Sequence, residues 1–295
     1  KSAQVPFHFW LPGAIDAPTP VSAYLHSATM VKAGVYLLAR LSPVMAGGDD
    51  WHYLVTGAGM ATMLLGALMA LREHDLKRIL AYTTVSTLGA LVLLLGMATT
   101  LSVQAAMLLL VVHALYKGAL FLAAGSLQHE AGTRDLRRLG GLARAMPLTT
   151  AAAVLAALSM AGLPPMLGFI AKELLYEAKL QAPRAAGMIT AAGVASNALL
   201  VASAALIAVR PFFGRRAGTP GPVHEAPPSM WLGPLALAAV GALCGLCPSA
   251  LGGPLVSAAA SAVRAEPSAV ELSLWHGLSP VLTLSALTVL GGVAV

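Results

Sequence analysis

An all-α, polytopic membrane fold is the architecture this sequence predicts. It should hold roughly eight full transmembrane helices, a partial one at the start, and discontinuous helices among them. Three observations carry that prediction. Of 295 residues, 58% are hydrophobic and only 10% are charged, and the mean hydropathy is +0.79; an ordinary soluble domain is about 25% charged. Apolar runs recur at close to the 20 or so residues that a helix needs to cross a bilayer. The run at 104–127, QAAMLLLVVHALYKGALFLAAGSL, then places His113 and Lys117 near its own centre, one helical turn apart. Ionisable groups at that depth are costly, face protein or water, and mark paths for charge.

Taken in order, the opening KSAQVPFHFWLPGAIDAPTP is apolar but interrupted by Pro6, Pro12, Pro18 and Pro20. It reads as the end of one helix and an irregular approach to the next. Residues 21–41 form a span containing His26 and Lys32, and 53–71 form another after a polar gap with Asp49 and Asp50. The turn REHDLKR at 72–78 leads into a span at 79–97, and the helix at 104–127 follows. A polar connection, 128–147, precedes the apolar stretch 148–170, which carries GLPP at 162–165. Proline removes a helical hydrogen bond, so a discontinuous helix is expected there. Transporters use such breaks beside ion sites. Lys172 and Glu173 come directly after. Spans at 186–209, 231–247 and 272–295 complete the series, with a weak Ala- and Ser-rich segment at 250–263. The chain opens on a lysine, shows no signal-peptide pattern and ends in apolar sequence, so it reads as a portion of a longer membrane protein.

Charge placement orients the spans. The gaps 72–78, 128–147 and 210–229 together hold ten Lys or Arg, against five in the alternate set, 40–52, 98–103, 171–185 and 248–271. The first set is thereby assigned to the cytoplasm. The net charge of +6 is explained by these gaps and is no nucleic-acid signal. Cys244 and Cys247, in an apolar CGLC, read as small membrane-compatible side chains. Close-spaced small residues in GAGMATMLLGA at 57–67 read as a helix-packing face. HExxH, a Walker loop, a serine elbow and haem ligation patterns are all missing, and no bound cofactor is expected.

The chemistry these residues suit is proton relay. Histidine titrates near pH 6.5 and can take up and release a proton under cellular conditions. A desolvated lysine gives up its proton more readily than one in water. His113 and Lys117, at i and i+4, share a face. Blander readings stand beside this one. Lys172 or Lys32 could snorkel to an interface, His26 and His113 could donate to backbone carbonyls, and Glu173 could serve only to pair Lys172 or Lys179.

Four stretches, KSAQVPFHFWLPGAIDAPTPVSAYLHSATMVKAGVYLLAR, HDLKRILAYTTVSTLG, HALYKGALFL and AGLPPMLGFIAKELL, resemble the antiporter-like subunit family. That family is shared by Mrp-type multisubunit cation/proton antiporters, the proton-pumping subunits of respiratory complex I and related membrane hydrogenases. The resemblance covers residues 1–210. HEAGTRDLRRLGGLARAMP, HEAPPSM at 224–230, LWHGLSP at 274–280 and VKAG at 31–34 look like the large A subunit of the Mrp type. The resemblance implies a translocation domain at 1–210, beginning inside the family's seventh transmembrane helix, and additional transmembrane helices at 211–295.

It also implies roles. Lys1 matches the family's first central lysine, whose glutamate partner would lie upstream. His26 matches the intervening histidine, and Lys117, beside His113, matches the second central lysine. Lys172, on the second broken helix, matches the group that exchanges protons with one aqueous side. With Lys32 and Glu173 these form the candidate relay. Leu109 and Val112 depart from the family, which often has a histidine and an asparagine there; their replacement implies greater reliance on water, or a route elsewhere. The implied function is that of one component of a sodium/proton antiporter in a prokaryotic cytoplasmic membrane. Its expected partners are other integral membrane subunits, H+, Na+ and lipid, with no nucleic acid and no assignable sodium site. A pumping subunit of complex I or of a hydrogenase, and a non-conducting scaffold, are the alternatives.

Overall fold

Prolines decide the first stretch of chain. The computed structural model describes residues 1–295 except 216, 217, 220, 221 and 276. Up to residue 18 the chain makes only single helical turns: 3₁₀ turns at Phe7–Phe9 and Ala14–Asp16, with α1 (Trp10–Gly13) between them. The partial span expected at the start is therefore a run of short turns, pinned by buried Leu11 and Ile15.

The first correction concerns 21–41, expected as one continuous span. It is broken in two, α2 (Thr19–Ser27) and α3 (Ala33–Met45), with a 3₁₀ turn at Met30–Lys32 between them. No proline or glycine marks the break. Side chains instead fold back on carbonyls beside it: Ser27 donates to the Ala23 carbonyl, Thr29 Oγ1 to Tyr24 at 3.0 Å, and Lys32 Nζ to Ser27. Local side-chain donors of this kind compete with the helical ladder and can hold it open.

Next come α4 (Asp49–Arg72), α5 (Leu76–Met97) and α6 (Thr100–Ala131). Asp75 caps α5 by accepting from the backbone N–H groups of Lys77 at 2.9 Å and Arg78 at 3.1 Å. Thr99 and Ser102 cap α6 reciprocally, satisfying donors that the helix start leaves over. The apolar window of α5 is wholly buried, so this helix is the axis of the bundle. The small-residue face expected at 57–67 is what brings α4 against it. A Cβ at Gly66 would lie 2.5 Å from the Ser86 backbone nitrogen, and Gly59 and Gly89 approach the opposite backbone as closely. Glycines at such contacts let helices approach in a membrane, where hydrophobic force between helices is weak.

The break predicted at GLPP is present. α7 (Pro147–Ala161) ends in Gly162, and α8 (Leu167–Leu180) starts after a five-residue interruption. α9 (Ala186–Phe213) and α10 (Pro228–Leu246) follow. The weak segment is a π-helical turn, Pro248–Gly252, and α11 (Gly253–Arg264). The last span is shorter than expected from 272–295. α12 (Pro280–Ala294) begins only where Ser279 caps it, accepting from the Leu282 N–H at 3.2 Å. The His276 of LWHGLSP lies outside the described residues. Cys244 and Cys247 are both free thiols.

Among the described residues, five helices are long and apolar enough to cross a membrane: α4, α5, α6, α9 and α10. The protein is thus all-helical and multi-pass. The three basic loops meet at one end of the bundle. Leu76 N donates to Arg134 O at 3.0 Å, Leu136 N to His74 O at 2.9 Å, Ala143 N to Phe212 O at 3.0 Å, and Arg210 Nε to Leu136 O at 3.1 Å. At the opposite end, Arg184 pairs with Asp49 at 2.6 Å. The side-chain bonds of Asp135 to Arg137 hold its carboxyl down to about 2 in the basic-loop face.

Candidate functional site

Lys117 sits where α6 crosses the bundle axis. The helix is long, and the residue lies far from both of its ends, so its amine cannot reach an interface. It is 0% exposed. The Nζ donates to the Leu80 carbonyl of α5 at 3.1 Å and to the Thr83 hydroxyl. Thr83 is polar where α5 would otherwise be aliphatic, and it was not among the residues singled out from sequence. The clue was the TT pair one turn before Ser86 and Thr87. These acceptors satisfy an amine in either protonation state, since a carbonyl binds ammonium or a neutral N–H.

His113 lies one turn before Lys117 and is also 0% exposed. Neither ring nitrogen has a hydrogen-bond partner among the described residues, and the ring meets Tyr116 edge-on at 5.4 Å between centroids. The reading in which His113 merely donates to a backbone carbonyl therefore does not hold in this structure. Lys32, Lys117 and His26 all lie close enough to bear on its charge.

His26, at the end of α2, rests on the ring of Phe121 at 4.8 Å, one turn beyond Lys117 on α6. Its Nδ1 is buried without a hydrogen-bond partner among the described residues. Lys32 is drawn into the α2–α3 break, donating to Ser27 and, at 3.5 Å, to the Leu110 carbonyl of α6. It is 5% exposed, so it does not snorkel. The broken helix thus presents His26 and Lys32 to α6, and the four groups chosen from sequence form one buried cluster. Lys1 stands apart at an exposed position. Its neighbour Ser2 ties that stretch to the break, donating to Val31 O at 2.6 Å and accepting from Val35 N at 2.9 Å.

Lys172 belongs to the second break. Its Nζ donates at 3.0 Å to the carbonyl of Ala161, the last residue of α7. Carbonyls at a helix C-terminus are unpaired and carry its negative end, a natural seat for an ammonium. Gly162, at φ +67, turns the chain there, and the Lys172 stem lies against it, 2.7 Å from where a Cβ would be.

Beside Lys172 lies a cavity of about 50 Å³ lined by Tyr116 and Val112 of α6, Ser86 and Thr87 of α5, Lys172 of α8 and Asn197 of α9; Tyr116, which His113 meets edge-on, is its link to the first cluster. Its wall is mostly apolar, but Ser86, Thr87, Tyr116, Lys172, Ser196 and Asn197 put polar groups into it, and it is large enough for water. Leu109 also lines it, so both positions that depart from the family pattern are in its wall. Glu173 is buried but lines a different cavity, of about 260 Å³, with Glu177 and Glu271. Adjacent in sequence, Lys172 and Glu173 thus serve two spaces, although Glu173 remains close enough to act on the Lys172 charge.

Residues 1–199 match the model of a transmembrane family described as NADH:quinone oxidoreductase/Mrp antiporter. The chain is 41% identical over 327 residues to the A subunit of a Na(+)/H(+) antiporter of Alkalihalophilus pseudofirmus, covering 99% of this chain and 40% of the relative. It is 45% identical over 300 residues to the A/B subunit of a probable K(+)/H(+) antiporter of Rhizobium meliloti, covering 99% of this chain and 30% of the relative. Among solved structures it is similar to a chain of the Mrp complex from Dietzia sp., with a TM-score of 0.91 and 40% identity over 99% of this chain and 32% of that one. It therefore spans well under half the length of these relatives.

Proposed function

Because the chain belongs to the NADH:quinone oxidoreductase/Mrp antiporter transmembrane family, we propose that it is a proton-translocating part of the large subunit of a monovalent cation/proton antiporter. The single observation behind this is the buried cluster of His26, Lys32, His113 and Lys117, whose His113 meets Tyr116 edge-on, the residue that shares a water-sized cavity with Lys172. Two helix breaks bring the outer members of this row to the continuous α6. A proton moves by changing the charge of one group, which changes the proton affinity of the next. Lys1 takes the upstream place in the row and Glu173 tunes the charge of Lys172.

The bilayer crossings in this reading number about eight, each the thickness of a hydrocarbon core. They are the five continuous helices, the broken pairs α2–α3 and α7–α8, and α12. Residues 1–210 carry translocation and 211–295 add flanking helices. The face of the three basic loops is cytoplasmic, in a prokaryotic inner membrane, with other integral membrane subunits and lipid around it. Sodium is the exchanged cation. Similarity to chains named as antiporter subunits favours this reading over an electron-driven pump. No bound organic cofactor is needed, and the driving force, about 2.3 kcal/mol per charge per 100 mV, is the proton gradient.

The test is Lys117→Ala in the assembled transporter, with sodium-dependent proton movement measured in everted vesicles. Exchange should fall by about a hundredfold, the scale of a lost proton-transfer group, while assembly persists. Unchanged exchange would overturn the relay.

A further inference from the structure

Lys179, near the C-terminal end of α8, belongs to none of the groups above. It is 0% exposed, although the helix ends one residue later and leads into an exposed turn. A lysine this close to a helix end ordinarily extends its amine to water. Here the side chain runs inward instead. Its Nζ lies 3.9 Å from the Met63 sulfur of α4 and 5.9 Å from the centre of the Tyr176 ring. Gly193 of α9 makes the room: a Cβ there would fall 2.9 Å from the Lys179 Cδ. A thioether and a ring face are weak company for an ammonium. For stability alone this position asks for methionine or leucine.

Lys172, Tyr176 and Lys179, at i, i+4 and i+7, share one face of α8. The groups between the two amines are polar and connected. Asn197 lines the cavity beside Lys172 and donates to the Tyr176 hydroxyl at 3.1 Å. That hydroxyl shares a 2.5 Å hydrogen bond with Thr288 of α12. Ser196, also in the cavity wall, bonds to Ser86 at 3.2 Å and to the carbonyl of Met63 at 3.3 Å, the residue whose sulfur Lys179 touches. Met63, Gly193, Ser196, Asn197 and Thr288, the groups that α4, α9 and α12 bring to this end of α8, do not titrate. The titratable groups are Lys172, Glu173, Tyr176 and Glu177 on α8 itself and, at the outer end, Asp49 and Tyr53 of α4, which meet Arg184.

Resting on the relay reading above, we propose that Lys179 is a further proton-carrying residue. It receives a proton from the Lys172 cavity along the Tyr176–Asn197 face of α8 and releases it at the end of the bundle where Arg184 and Asp49 pair. In each transfer the Lys172 ammonium gives a proton to a bridging water or hydroxyl as that group passes one on to the neutral Lys179 amine. Lys172 ends neutral, the bridge unchanged and Lys179 an ammonium; Lys179 then returns the proton to water on the outer side. Among the described residues the amine has no ion pair with a carboxylate, which suits this use, because a tight ion pair would hold the proton rather than pass it on.

The experiment compares Lys179→Met and Lys179→His with the unaltered full-length transporter in everted vesicles, following sodium-driven proton movement across pH and the thermal midpoint of the assembled complex. Lys179→Met should lower exchange by about a hundredfold while the thermal midpoint holds or rises. Lys179→His, whose ordinary pKa of about 6.5 replaces about 10.4, should move the alkaline limb of the pH profile to lower pH by about one unit or more. Full exchange in Lys179→Met overturns the proposal. So does lost exchange with a lowered midpoint and an unmoved profile in Lys179→His, the behaviour of a merely structural lysine. Lys117→Ala, run alongside, separates the two levels: if it also retains exchange, the relay reading has failed, whereas loss there with none at Lys179 removes Lys179 alone.

Discussion

Gly162→Ala tests how the second helix break holds its amine. At φ +67 an alanine costs about 1–2 kcal/mol over glycine. Its methyl group would also lie 2.7 Å from Cε and 3.0 Å from Nζ of Lys172, well inside van der Waals contact. The side chain must swing away, surrendering its 3.0 Å bond to the Ala161 carbonyl. Hydrogen bonds to charged groups are worth about 1.5–3 kcal/mol. Neighbouring effects do not add fully, so about 3 kcal/mol is a fair joint figure, equivalent to about two orders of magnitude in an equilibrium. The assay is proton exchange in vesicles, read beside thermal unfolding of the assembled complex. The expected result is exchange reduced by about a hundredfold with a modest drop in midpoint. Gly162→Asn apportions the loss, because asparagine tolerates the left-handed turn but carries the same Cβ. If Gly162→Ala exchanges protons as the unaltered protein does, the seat of Lys172 at the end of α7 has no part in transport.

Two further outcomes follow from packing and charge. Gly89→Val drives a side chain into the α4 backbone at Met63 and Gly59, and overpacking should cost about 1–3 kcal/mol or more; Gly57→Val, where nothing lies within 4 Å, is the matched control and should leave the thermal midpoint unmoved. Arg137 holds the Asp135 carboxyl down to about 2, so the stabilisation from their pairing is complete above the ordinary carboxyl range and disappears only as pH falls through about 2. Asp135→Asn should therefore lower the midpoint equally at about pH 6 and about pH 9, and by less in high salt; a loss that varies across that interval would contradict the pairing.

What could be read in advance depended on where the chain advertises its breaks. GLPP does so through proline, and the α7–α8 interruption follows from it. The interruption between α2 and α3 carries no such mark: its apolar residues continue, and only Ser27, Thr29 and Lys32, folded back on nearby carbonyls, keep the helix open. His26, Lys32, His113 and Lys117 were legible because each is an ionisable residue inside an apolar run. The distinction between Lys172 and Glu173 was not, since adjacent residues on a helix point about 100° apart and the space each meets is made by distant helices. Lys179 was masked by its position, one residue from a helix end, where snorkelling is the ordinary outcome. Only the gap at Gly193 and the approach of Met63, more than a hundred residues upstream, turn it inward.

The enclosure of α5 bears on how the protein is made. Its hydroxyl-bearing turn, Thr83, Thr84, Ser86 and Thr87, is fully sheathed in the finished bundle, yet two of the groups that meet it, Lys117 and Ser196, are synthesised later. While α4 and α5 wait in the lipid, each threonine satisfies itself by donating to a carbonyl three or four residues back, as Thr83 does to Ile79 at 3.1 Å and Thr84 to Leu80 at 2.9 Å. The glycine-faced hairpin of α4 and α5 can leave the translocon as a stable pair, and the arrival of α6 converts Thr83 from a self-contained group into the acceptor of an amine.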